Sequence, residues 1–237
     1  MIKDTQQKQN IQAAYQGRLL ARPVQPTLEP TPHGLQTLGL DGDRDALLYI
    51  PKSYQVERPA PLVLMLHGAG GNAQGGLSPF LNFADSQGII LLAPASQQTT
   101  WDLLHGGYGP DIAFIDQALG QTFSHYAIDP ARIAIAGFSD GGSYALSVGI
   151  TNGDLFSYII AFSPGFMAPA SLHGDPSIFV SHGKWDNVLP IERCSRKIVR
   201  QLKEGNYDVV YQEFNGIHTV PVKIASSALA WFAAPEQ

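Results

Sequence analysis

The chain has 237 residues, 44% hydrophobic and 15% charged, enough to bury one large core, and a single α/β domain is the economical reading of that length. Its formal net charge is -5 with no basic cluster, which leaves no electrostatic footprint for DNA or RNA. The one cysteine, Cys194, excludes an intrachain disulfide framework and cannot alone make a thiolate metal site.

Residues 1–33 carry few large apolar side chains and end in a proline-rich run, Pro23, Pro26, Pro30 and Pro32. That pattern suits an extended arm whose first half forms a short helix. Residues 1–15 are polar and glutamine-rich, without the apolar core of a signal peptide. No apolar run approaches the roughly 20 residues that span a bilayer, so a cytoplasmic protein is the expectation. No internal repeat or low-complexity tract is present.

Segments 34–40 and 46–50 are apolar-rich and joined by Asp41-Gly42-Asp43, a turn signal, and read as an antiparallel hairpin at a sheet edge. From Pro61 onward, continuous apolar runs alternate with helical segments, the pattern of a parallel sheet covered by helices on both faces. The predicted strands are 62–66, 89–93, 133–136, 158–162, 178–181 and 209–214. The predicted helices are 78–86, 111–123, 142–151, 191–204 and 222–232. Cys194 falls among Ile191, Ile198 and Val199 in one of these helices and reads as an ordinary packed or partly exposed thiol.

Ligand sites in such sheets lie at the carboxyl ends of the strands. The first end carries His67-Gly68-Ala69-Gly70-Gly71, and the strand over 133–136 runs into Gly137-Phe138-Ser139-Asp140-Gly141. Two later ends carry His182-Gly183-Lys184-Trp185-Asp186 and Asn215-Gly216-Ile217-His218. Gly137 and Gly141 flank Ser139 where side chains would collide if a strand ran directly into a helix, which is the nucleophile-elbow pattern.

A serine hydroxyl needs a base to take its proton as it attacks, and His218 is the candidate. That histidine needs an acceptor on its other ring nitrogen, and Asp186 is the candidate. A tetrahedral oxyanion needs preorganised donors, and the backbone N–H groups of Asp140 and Ala69 are placed to supply them.

These motifs resemble the α/β-hydrolase superfamily: Leu66-His67-Gly68, Gly137-Phe138-Ser139-Asp140-Gly141-Gly142, His182-Gly183 with Asp186 and Pro190, and Gly216-Ile217-His218. Within it they are most similar to the phospholipase/carboxylesterase branch that includes acyl-protein thioesterases. Leu48-Tyr49-Ile50-Pro51 and Trp101-Asp102 also resemble polyhydroxybutyrate-depolymerase-like and feruloyl-esterase-like enzymes. The resemblance covers about residues 34–233 and implies an α/β-hydrolase fold without a cap domain, with an arm over 1–33 and a catalytic domain over 34–237. Asp140 stands where acyl-protein thioesterases usually carry glutamine, and the arm is not typical of them, so the thioester side of the resemblance is the weaker one.

Trp101 and Tyr108, in the glycine-rich segment 99–110, either form a wall of the substrate pocket or belong to a connecting loop whose tryptophan covers the core. The interval 163–176 is too short for a helical cap, and its Phe166 and Met167 suggest a pocket-lining loop beside an open site. His67 is expected to shape the turn that presents Ala69, and His182 to pack or hydrogen-bond locally; His105 is a substrate contact or a solvated loop residue. The Asp140 side chain either favours the positive end of the following helix or repels anionic substrates. No histidine or carboxylate pair has metal-ligand spacing, so no metal and no cofactor are expected.

The expected function is a serine carboxylesterase acting on small-molecule esters through an acyl-enzyme. The alternatives are an acyl thioesterase, a polyhydroxyalkanoate-type or feruloyl-type esterase with the same triad, and a catalytically silent binding protein of the same fold.

Overall fold

The computed structural model describes the backbone of residues 2–29, 32–40 and 44–234, with side chains from residue 7 onward. Pro30 of the arm and the expected Asp41-Gly42-Asp43 turn lie outside the described residues. Eight strands form one sheet: β1 (Gly34–Thr37), β2 (Leu47–Ile50), β3 (Ala60–Leu66), β4 (Ile90–Ala93), β5 (Ile128–Phe138), β6 (Tyr158–Phe162), β7 (Ser177–Gly183) and β8 (Val209–Phe214). Their order is β1-β2-β4-β3-β5-β6-β7-β8, antiparallel at β1/β2 and β2/β4 and parallel from β4 onward.

Strand β3 is buried at all seven positions, because helices cover both faces of the sheet. Alternation sorts its side chains. Leu62, Leu64 and Leu66 join Ile133 and Ile135 in a cluster packed by α4 (Pro110–His125), α5 (Asp140–Thr151) and α6 (Ser195–Glu204). Val63 and Met65 join Ala134 and Ala136 on the other face, under α2 (Ala73–Leu77) and α7 (Val222–Ala233). The sheet therefore holds the ends of β3, β5, β7 and β8 on rigid strands at one edge of the core.

Several boundaries differ from the sequence reading. Residues 78–86 do not make one helix: α2 starts earlier, capped by Asn72, whose side chain accepts from the Gly75 N–H at 2.9 Å. Pro79 lacks the donor needed to continue it, and the chain resumes as a 3₁₀ turn over Leu81–Phe83 followed by α3 (Ala84–Gln87). Helix α6 begins at Ser195 rather than 191, because the N–H groups of Arg193 and Cys194 both turn back to the Pro190 carbonyl. Cys194 is thus buried at the helix start. The hairpin strands are shorter than 34–40 and 46–50, although Leu38 still donates to the Ala46 carbonyl at 2.9 Å.

The arm begins as helix α1 (Ile2–Tyr15) and continues without regular structure across α4 and the end of α5. Its anchor is Leu19, fully buried, whose N–H donates to the Asn152 side chain. The Asn152 amide donates in turn to the carbonyls of Gly17 and Val148. Asp116 accepts from the Leu20 and Ala21 N–H groups, and Arg18 and Arg22 both pair with Asp154. Those ion pairs are partly exposed and add little, whereas the buried amide contacts are costly to break. Replacing Asn152 by alanine strands the buried Leu19 N–H and Gly17 carbonyl, and is expected to lower stability by about 2–3 kcal/mol in urea unfolding and to speed proteolysis within residues 7–28.

Candidate active site

Strand β5 stops at Phe138 and α5 starts at Asp140, so Ser139 makes the whole turn. Its backbone sits at φ 57°, ψ -119°, a conformation that costs a non-glycine residue about 1–3 kcal/mol. The Ser139 N–H is held by the Phe162 carbonyl at 2.8 Å, and its own carbonyl accepts from Ser143 N–H. A Cβ on Gly137 would overlap the Gly141 backbone, and one on Gly141 would overlap the carbonyls of Leu66 and His67. Only glycine fits either place, and both keep the turn tight against β3.

His218, on the loop after β8, places Nε2 2.8 Å from Ser139 Oγ and Nδ1 2.5 Å from Asp186 Oδ2. The phenyl ring of Phe138 lies 4.7 Å from the imidazole and fixes its plane. Asp186 Oδ1 accepts from the N–H groups of Val188 and Leu189. Burial alone would raise this carboxyl, but the Leu189 N–H, His218 and the Val188 N–H together hold it below the ordinary value.

His182 packs and hydrogen-bonds locally, as expected, and the partner that the sequence reading did not foresee is Asp186. Its Nε2 meets the Leu189 carbonyl at 2.8 Å and Asp186 Oδ2 at 3.1 Å, so Nε2 carries the proton and Nδ1 accepts from the Ser195 hydroxyl. Burial lowers its pKa and keeps the ring neutral. The four-residue spacing from His182 to Asp186 was the available signal.

The turn after β3 is held from the outside. His67 Nδ1 donates to the Gly68 carbonyl and Nε2 accepts from Ser96 N–H, so both nitrogens are used and burial pushes its pKa down. Its carbonyl accepts from the Trp101 indole at 2.9 Å, Gly70 N–H donates to Thr99, and Arg44 bridges the carbonyls of Ser96 and Gly71. Ala69, in the same turn, is exposed. Gly68 lies against the serine; a Cβ there would sit 3.4 Å from the serine Cβ.

Trp101 and Tyr108 do not form an open pocket wall. Trp101 is 1% exposed, stacked on Tyr144 and tilted against His67; Tyr108 is buried and donates to the Ala168 carbonyl. Their segment closes over the core because two buried carboxylates organise it. Asp111 accepts from the N–H groups of Gln97 and Asp102, and Asp102 accepts from Gly109, Asp111 and the Tyr144 hydroxyl. Burial raises Asp111 to about 6. Phe166 is half-buried on a loop tied to the Ser143 hydroxyl, while Met167 leans on the core. His105 is exposed.

The Asp140 side chain lies in the first turn of α5, at the positive end of that helix, and is buried. It is 7% exposed, one oxygen accepts from Trp101 N–H and Oδ2 has no partner. Burial raises its pKa to about 6.

A cavity of about 540 Å³ is walled by Gly68, Phe138 and His218, and is lined by none of Ser139, Trp101, Tyr108, Phe166 or Met167. Among the described residues no group of three or more His, Cys, Asp or Glu is placed to hold a metal ion, and no helix is long and apolar enough to cross a membrane.

Residues 38–203 match the family model described as a putative esterase. A probable feruloyl esterase C from Aspergillus oryzae is 28% identical over 213 residues, covering 81% of this chain and 76% of its own. Among solved structures, esterase PE8 aligns with TM-score 0.62 at 24% identity over 78% of this chain and 97% of its own. A ferulic acid esterase from Anaeromyces mucronatus, solved with ferulic acid, aligns with TM-score 0.62 at 18% identity over 88% and 92%. These relatives fall on the feruloyl-esterase-like side of the resemblance, and the structural likeness supports the α/β-hydrolase fold. With its family model matched over more than half of its length, the chain belongs to the putative esterase family.

Proposed function

We propose that the protein is a serine carboxylesterase in which Ser139, His218 and Asp186 form the catalytic triad. The observation that carries this is the unbroken hydrogen-bond line from Ser139 Oγ through both nitrogens of His218 to Asp186 Oδ2. Ser139 Oγ attacks the ester carbonyl while Nε2 of His218 takes its proton, and Asp186 keeps the proton on Nδ1 and stabilises the imidazolium. The oxyanion forms against the N–H groups of Asp140, at the amino end of α5, and Ala69. Collapse breaks the bond to the alcohol oxygen, which takes the proton from His218, and leaves the acyl group on Ser139. Water then repeats the sequence in reverse roles and frees the acid.

A feruloyl-type acyl specificity is the finer reading, favoured by the relatives named feruloyl esterase. The open site agrees with it, since the loop between β6 and β7 carries no helical cap over the serine.

Replacing Ser139 by alanine is expected to cut kcat/KM for an activated short-chain ester at least about ten-thousandfold and to abolish fluorophosphonate labelling. Unchanged turnover in the variant would remove the serine from the mechanism, and absence of labelling in the folded native protein would favour the silent binding reading. For the acyl group, methyl ferulate is expected to be hydrolysed with a higher kcat/KM than methyl acetate; the reverse order retires the feruloyl-type reading.

Asp140 gives a pH test. Its folded pKa, about 6, is above the ordinary 3.8, so its favourable contribution is complete below the unfolded value and is lost as pH rises through 6. The Asp140→Asn protein is therefore expected to be more stable than wild type at pH 7.5 by about 2 kcal/mol in urea unfolding, with the gap closing between pH 6 and pH 4. A gap that does not change with pH would mean that the folded pKa of Asp140 is not raised above its unfolded value.

A further inference from the structure

We propose that His182 is a positioning residue of the reaction: by donating its Nε2 proton to the oxygen of Asp186 that His218 also uses, it fixes the direction from which that carboxylate meets the base. This rests on the esterase reading above. The backbone brings the parts together. The Lys184 N–H donates to the Phe214 carbonyl and the Trp185 N–H to the Gly216 carbonyl, so the end of β7 lies against the loop that carries His218. A Cβ on Gly183 would sit 2.5 Å from the carbonyl oxygens of both Gly216 and Ile217, so only glycine allows that approach. His182, one residue earlier, is completely buried.

A carboxylate accepts about four hydrogen bonds, and donors stand at each place on Asp186. The Val188 and Leu189 N–H groups reach Oδ1 at 2.9 and 2.8 Å, while His218 Nδ1 and His182 Nε2 meet Oδ2 at 2.5 and 3.1 Å. The Asp186 side chain is fully buried, so solvent does not replace a donor that is removed. Without the His182 proton, Oδ2 is held by His218 alone, and the carboxyl plane follows the imidazole instead of aiming it.

His182 serves in one protonation form. Its Nδ1 accepts from the hydroxyl of Ser195, the first residue of α6, and its Nε2 also faces the Leu189 carbonyl at 2.8 Å, an acceptor with no proton to give. The proton therefore stays on Nε2, and burial keeps the ring neutral against the pull of Asp186. Sharing one oxygen between two imidazoles also divides its charge. A donor to the ionised carboxylate draws on the same charge that stabilises the His218 imidazolium as it forms. His182 tempers that pair while holding it in line, and a histidine that only filled space would do neither.

The test separates positioning from packing. Wild type, His182→Gln and His182→Met are compared on an activated short-chain ester across pH, and the ring-nitrogen NMR signals of native protein with labelled histidine are recorded. Glutamine carries an N–H at a reach similar to Nε2; methionine fills the space without one. His182→Met is expected to lower kcat at least about tenfold with KM within about threefold, and to move the acid limb of the kcat/KM profile up by at least about half a pH unit. His182→Gln is expected to return kcat to within about threefold of wild type. Native His182 is expected to carry its proton on Nε2 and not to titrate from about pH 5 to 8, a measurement that needs no variant to fold. Wild-type kcat or an unmoved limb in His182→Met, a His182→Gln protein no better than His182→Met, or a native His182 protonated on Nδ1 overturns the assignment and leaves the triad standing. Native protein inert toward every ester overturns the esterase reading and this one with it.

Discussion

Lack of room at one strand-to-helix junction governs this molecule. Between β5 and α5 the chain reverses over a single residue, and Gly137 and Gly141 approach backbone so closely that no side chain fits at either. Ser139 is forced into a left-handed backbone conformation, which lifts its hydroxyl off the sheet and leaves the Asp140 N–H at the free amino end of α5. One steric fact thus fixes the position of the hydroxyl and of an adjacent amide together. The parallel sheet does the rest by bringing the ends of β3, β7 and β8 to the same edge.

Around that junction the support is polar and buried rather than greasy. Asp102, Asp111 and Tyr144 hold the segment that contains Trp101, and Trp101 with Arg44 holds the turn after β3. Each contact is modest in net energy, but leaving any one unmade is expensive in so dry a place. The turn is therefore braced on several sides, as the proposed oxyanion role of Ala69 requires. Asp140 is the exception, with a buried oxygen lacking a partner beside the reacting centre, a local strain that the surrounding packing absorbs.

Much of this was legible because the informative residues are local signals. The apolar runs placed every strand of the parallel sheet, with β6 and β8 at their full lengths; β6 is almost wholly buried and reads as a continuous apolar run, whereas β8 is half-buried throughout and β5 starts five residues before the predicted 133. Ser139, Asp186 and His218 stand at strand ends and were readable from glycine spacing and chemistry. What failed depends on contacts distant in sequence. Trp101 looked equally suited to a pocket or a core, and its burial is decided by Tyr144 and His67, more than thirty residues away on either side. Helix 78–86 was misplaced because apolar spacing outweighed the Asn72 cap and Pro79, both of which were in view.

The pairing of Asp186 with two imidazoles has a mechanical side. Its oxygens bind His218, His182 and the backbone of Val188 and Leu189, and His182 is in turn joined to Ser195 at the first turn of α6. The carboxylate is therefore a rivet through three parts that would otherwise slide independently: the end of β7, the connector after it and the start of a surface helix. Displacement of α6 against the sheet pulls on the same atom that aims His218 at the serine. Helix α6 is in this way geared to the alignment of His218 with Ser139.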